Sequence, residues 1–198
     1  AGIPVTVGAY DAHIGAVGGF VDENVMVKSI GTSTCDILVG PLPKEGEKEA
    51  LVSGIAGQVV GSVIPGYVGY EAGQSAYGDF YAWFRNLLMW PLLNMEHDIP
   101  EETIAKIEKR VLAQLEQSAA DVEITKDSPL ALDWINGRRS PHADQKLKGA
   151  LTSLTLGTDA PAIMRSLLES TAFGARAILE CFENGGVTVD KIIAIGGV

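Results

Sequence analysis

Two short stretches of this sequence place chemically useful side chains beside glycine. In Gly8-Ala9-Tyr10-Asp11-Ala12-His13, a carboxylate follows the apolar run Val5-Thr6-Val7 among small neighbours. An Asp in that setting either forms a turn with its own backbone or presents a proton acceptor at the end of a strand. In Gly31-Thr32-Ser33-Thr34, a glycine and three hydroxyl residues lie between two apolar runs. Backbone N–H and side-chain O–H groups so clustered either make a hairpin turn or cradle an anion such as phosphate. A third feature, Gly196-Gly197, follows the apolar run Lys191–Ile195, where a ligand could approach the backbone. Taken alone, a Gly-Gly pair is a weak signal.

Several other chemistries are absent from the pattern. There is no G-x-x-x-x-G-K-[ST], no G-x-G-x-x-G and no nucleophile elbow. His13, His97 and His142 are not spaced with one another or with cysteine as zinc ligands, so no metal site is expected. Cys35 and Cys181 are too few for a disulfide scaffold and sit in apolar surroundings; they are expected to be inert thiols in a reducing cytoplasm. Fifteen Lys and Arg against 25 Asp and Glu give a net charge of −10, which disfavours nucleic-acid and anionic-membrane partners. No apolar run approaches the roughly 20 residues of a membrane span.

The elements that must hold these residues follow from glycine placement and periodicity. Of the 23 glycines, 15 lie at or before Gly78, and none lies between Asp79 and Asn136. A strand-rich half over 1–72 and a helix-rich half over 73–198 are expected. Val25–Ile30 and Cys35–Val39 read as strands of an antiparallel meander, as does Gly15–Phe20, a run of small residues. Lys44–Glu49 reads as a charged hairpin tip. Gln74–Trp90 carries a wide apolar stripe including Tyr77, Phe80, Tyr81 and Phe84, with Pro91 as the expected stop. Trp83 and Trp90 are expected in the core. A peripheral amphipathic helix is expected to start near Pro100, with Ile104, Ile107, Val111 and Leu115 facing inward. Leu130–Ile135 reads as a short strand before the Asn136-Gly137 turn. Thr158-Asp159-Ala160-Pro161 reads as the start of a helix that runs to about Glu183 and stops at Asn184-Gly185-Gly186, with a buried strand over Lys191–Ile195 behind it. A long helix feeding such a strand indicates a layered α/β domain. The chain starts at Ala1, shows no signal peptide, and stops in a strand-to-turn passage, so it reads as part of a longer protein.

An acid turn, a hydroxyl-rich turn about 20 residues later and a final Gly-Gly strand end occur here in the order of the actin-like (ribonuclease-H-like) ATPase fold. More narrowly, the chain resembles the FGGY family of carbohydrate kinases. The resemblance is carried by GAYDAHIGAVG (8–18), IGTSTCDIL (30–38), GQVVGSVIPGYVGYEAGQSAYGDFYAWF (57–84), LDWINGRRSP (132–141), TDAPAI (158–163) and STAFGARAILECF (170–182). It implies an α/β fold with a mixed sheet and flanking helices, one lobe of a two-lobed enzyme that uses ATP and Mg2+. Asp11 would be the catalytic base and would contact the sugar. Glu71 would bind sugar hydroxyls, the alternative being an acid at a helix N-terminus. Gly31, Thr32, Ser33 and Thr34 would contact the ATP phosphates, Gly78 would lie against the nucleotide, and Gly196 and Gly197 would open the adenosine motif. The narrower stretches favour members acting on L-ribulose, in L-arabinose catabolism. The alternatives are another pentulose, such as D-ribulose or xylulose, or a non-catalytic sugar- or nucleotide-binding module. Arg138-Arg139 reads as a structural turn. The partner would be the other lobe of the same protein; alone, this segment is expected to be inactive, and its open cleft wall and strand end favour self-association, so a homo-oligomer is a further expectation.

Overall fold

The computed structural model describes residues 2–5, 8–46 and 50–197. Its elements, in chain order, are α1 (Asp11–Gly18), β1 (Val25–Ile30), β2 (Thr34–Pro41), β3 (Gly57–Val60), β4 (Tyr67–Ala72), α2 (Gly78–Asn94), α3 (Glu101–Ala120), β5 (Leu130–Leu132), β6 (Ala150–Thr152), α4 (Ala160–Asn184) and β7 (Lys191–Gly196). Five strands form one mixed sheet in the order β3-β4-β2-β1-β7. Pairing is antiparallel from β3 to β1, whereas β7 runs parallel to β1. The α/β layering expected from the sequence is therefore present.

The central strands are buried on both faces, and alternation along each strand decides which helix a residue meets. Met26 and Leu38, with Val68, Tyr70 and Ala72 of β4, pack under Ile178 and Phe182 of α4. Val27, Ile37 and Val39 point the other way, to Ala16 at the end of α1 and to Val21. Phe80, Tyr81 and Phe84 of α2, Leu115 and Ala119 of α3, and Met164 and Leu167 of α4 form a separate helical core. Helix α4 starts where its sequence says it should: the Asp159 carboxylate accepts from the Ala162 N–H at 2.9 Å, and Pro161 sits in the first turn. It ends before Gly186, whose φ of +78° few other residues tolerate.

Several expectations are corrected. Gly15–Phe20 is no strand; most of it belongs to α1 and the turn after it. Its small residues instead allow a helix to approach the sheet: a Cβ on Gly15 would lie 2.9 Å from Ile195 Cδ1. Pro91 does not stop α2, which continues to Asn94 with the proline inside its exposed last turns, where one missing N–H costs little. Trp83 and Trp90 are 39% and 55% exposed rather than core. Among the described residues β7 pairs only with β1; Ile192 is 47% exposed there, and Ile193 and Ile195 are half-buried. The short strands β3, β4 and β6 were not anticipated. Thr6 and Val7 of the first expected strand, and residues 47–49 of the charged tip, lie outside the described residues.

Candidate active site

The hydroxyl-rich turn sits where three elements meet. It joins β1 to β2 and is closed by the Gly31 N–H donating to the Ser33 carbonyl at 3.0 Å. Its own carbonyls receive the first N–H groups of α2: Gly78 donates to Gly31 O at 3.0 Å, and Tyr77 and Asp79 donate to Thr32 O at 2.8 and 3.2 Å. These are N–H groups that a helix start leaves without partners, so the turn caps α2 and α2 pins the turn. Gly78 is thereby placed against the turn. On its other side, parallel pairing sets Ile30 opposite Gly196. A Cβ on Gly196 would stand 1.9 Å from the Ile30 carbonyl oxygen, at φ +124°, which only glycine satisfies. The turn, the start of α2 and the Gly196-Gly197 strand end are thus neighbours, with Thr32, Gly196 and Gly197 exposed.

Thr34 departs from its expected role. It is 1% exposed, and its Oγ1 accepts from the Gln74 N–H at 2.9 Å and from Lys28 Nζ at 3.3 Å. Its side chain belongs to a buried network rather than to the open side of the turn. Lys28 also bonds Asp36 at 2.9 and 3.0 Å and Gln74 Oε1 at 3.2 Å. Gln74 Nε2 then donates to Asp133 Oδ2 at 2.8 Å and to the Thr171 carbonyl on α4 at 2.9 Å. Burial pushes the Asp133 carboxyl up, partly offset by its bond from Gln74. Beside it, the Tyr81 hydroxyl shares a 2.7 Å bond with Thr171 Oγ1, and burial raises its pKa above the usual phenol value. The network ties the turn to the helical core.

A cavity of about 440 Å³ opens next to the turn, lined by Tyr10, Asp11, Ala12, His13, Ser33, Cys35, Glu71 and Arg139. Asp11 is the first residue of α1; it is exposed, and its Oδ1 accepts from the Ala12 N–H at 2.8 Å. Glu71 lies on β4, which removes the reading of a helix N-terminal acid. Its carboxylate is bound by the Arg139 guanidinium and lies 3.6 Å from His13 Nε2. Arg139 also reaches the Thr34 carbonyl at 3.5 Å, so it does more than shape a turn. Arg138 lies over the Trp134 ring, 5.0 Å from its centroid. Burial, and next the charge of Glu71, push the Cys35 thiol up to about 11, which keeps it protonated and poorly nucleophilic near neutral pH.

Of the residues singled out from sequence, Asp11, Ser33 and Glu71 line this cavity. Gly31, Thr32, Gly78 and Gly196 gather beside it around the turn. His13 and Arg139 were not singled out as site residues. Their signal was available only in the pairing of distant segments, since Arg139 is 68 positions from Glu71.

The description that matches residues 26–198 is "FGGY family of carbohydrate kinases, C-terminal domain". The chain belongs to this family. Among curated proteins it is 48% identical over its whole length to a ribulokinase of Vibrio parahaemolyticus, of which it covers 35%. It is 42% identical over 99% of its length to a ribulokinase of Halalkalibacterium halodurans, of which it covers 33%. The chain therefore spans about a third of the length of these relatives. Among solved structures, xylulose kinase of Rhodospirillum rubrum superposes with a TM-score of 0.67 at 19% identity, over 94% of this chain and 33% of that one. Glycerol kinase of Plasmodium falciparum with ADP gives 0.61 at 16% identity, over 94% of this chain and 33% of that one. These two likenesses establish the fold.

Proposed function

We propose that this chain forms most of the second lobe of an ATP-dependent kinase that transfers the γ-phosphoryl group to the terminal hydroxyl of L-ribulose, giving L-ribulose 5-phosphate in L-arabinose breakdown in the cytoplasm. Asp11 accepts the hydroxyl proton as that oxygen attacks the γ-phosphorus; the new O–P bond forms as the bond to the β-phosphate oxygen breaks and ADP leaves. Glu71, held in place by Arg139, accepts hydrogen bonds from sugar hydroxyls. The Gly31–Ser33 turn, through the Ser33 and Thr32 hydroxyls and its backbone, meets the phosphates, while Gly78, Gly196 and Gly197 let the nucleotide approach the backbone. Thr34 serves the turn from behind. Among the described residues no group of three or more His, Cys, Asp or Glu could hold a metal ion. Mg2+ would enter as part of the nucleotide substrate, carried on its phosphates. No helix of the described residues is long and apolar enough to cross a membrane.

The observation that carries this reading is the convergence of Asp11, Ser33 and Glu71 on one cavity in a chain of this family. The similarity to ribulokinases favours L-ribulose over other acceptors. The test is ADP release by the full-length protein with L-ribulose, D-ribulose, D-xylulose and glycerol. The highest kcat/KM is expected with L-ribulose; a higher value with any of the others would refute the assignment.

A further inference from the structure

The cavity that holds Asp11 carries an uneven set of charges. Asp11 and Glu71 bring two carboxylates to its wall, and Arg139 is the one guanidinium or ammonium among its described lining residues. Cys35 adds no charge near neutral pH, since its thiol is pushed up to about 11, first by burial and then by the charge of Glu71. Arg139 is already engaged: its Nη2 donates to Glu71 Oε1, and the two side chains are 33% and 31% exposed. Its other contact, from Nη1 to the Thr34 carbonyl, is 3.5 Å long and weak. Glu71 Oε2 lies 3.6 Å from His13 Nε2, beyond hydrogen-bond reach.

A guanidinium is a planar fork of N–H donors that suits a carboxylate. Left uncovered beside Asp11, it would draw acids into the acceptor site. With Glu71 against it, an entering carboxylate finds the fork taken and meets the like charges of Glu71 and Asp11. A neutral polyhydroxy molecule escapes both penalties, because it donates to carboxylates and carries no charge to be repelled. We propose that Glu71 has a second task beside binding sugar hydroxyls: it masks Arg139 and so bars sugar acids from the Asp11 cavity, making the pair a charge filter for the acceptor. The proposal rests on the reading of that cavity as the acceptor site, not on which neutral sugar it takes.

Calorimetric titration of the full-length protein without nucleotide tests it. L-Arabinonate is the acid; L-ribulose and L-arabinitol are the neutral references, the latter differing from the acid only by a hydroxymethyl group in place of the carboxylate. Wild type should bind L-arabinonate about tenfold or more weakly than the tighter neutral compound, because like charges would face each other. Glu71→Gln keeps the side-chain length and removes the charge. L-Arabinonate should then bind about thirtyfold tighter than to wild type, the effect of one hydrogen bond to a charged group. L-Ribulose should bind more weakly to the same variant. Glu71→Ala should reproduce the gain for the acid. Adding Arg139→Met to Glu71→Gln should abolish it, which separates an unmasked guanidinium from the mere loss of a negative charge. His13 is the same in every variant, so its own charge cancels from the comparison. Equal affinity of wild type for acid and neutral compounds, no gain in either Glu71 variant, or a gain that persists without Arg139 would overturn the proposal. Wild type that binds L-arabinitol but not L-ribulose, with the gain for the acid present, would refute the acceptor assigned above and sustain the filter.

Discussion

Replacing Lys28 by Met in the full-length protein probes the buried network behind the Gly31–Thr34 turn. The Lys28 and Asp36 side chains are 10% and 1% exposed, and the ammonium bonds both carboxylate oxygens. Methionine keeps most of the stem and removes the charge. Asp36 is then left buried without its cation, which costs about 3–5 kcal/mol. Gln74 Oε1 also loses a donor, worth about 1–3 kcal/mol when buried. The two losses share one small space and do not simply add, so about 4 kcal/mol is the expected total. Native-state hydrogen exchange on Val27, Ile37 and Leu38 should read it, since these sheet amides open only with the core. At 1.4 kcal/mol per decade, exchange should quicken by about a thousandfold. Adding Asp36→Leu should recover at least half of the loss, because an apolar pair of similar size often replaces a buried ion pair without penalty. Quickening of less than about tenfold, or a double variant no slower than the single one, would refute a desolvated pair at this position.

The remaining predictions concern the site. Asp11→Asn in the full-length protein should leave the fold intact and lower turnover by about 10²- to 10⁴-fold in a coupled ADP-release assay; turnover within about threefold of wild type would refute the base. Thr32→Val keeps a β-branched shape and removes an exposed hydroxyl, so the KM for ATP should rise about fivefold while the KM for sugar stays constant. Gly73→Ala should lower thermal stability by about 3 kcal/mol or more, because φ is +158° and the new Cβ would stand 2.1 Å from the Thr34 carbonyl oxygen; differential scanning calorimetry measures it, and an unchanged transition would contradict this packing.

Much of the fold was legible in the sequence because it rests on local physics. Alternation set β1 and most of β2, apolar spacing set α2 and α3, and an Asp cap with an early proline set the start of α4. The Gly31–Thr34 turn was also readable, since glycine and hydroxyls between two strands need no distant partner to be noticed. What the tertiary structure alone decided was direction and partnership. Small residues around Gly15 suit a thin strand or a close-packed helix equally, and only the approach of β7 selects the helix. Thr34 was one of three adjacent hydroxyl residues until the pairing of β1 with β2 and the arrival of Gln74 turned its side chain inward. Glu71 acquired its place in the cavity from the register of β4 against β2 and its ion pair from Arg139, brought in by a loop far along the chain. Periodicity is a property of neighbours in sequence; which carboxylate faces which guanidinium is set by contacts between segments that no local pattern encodes.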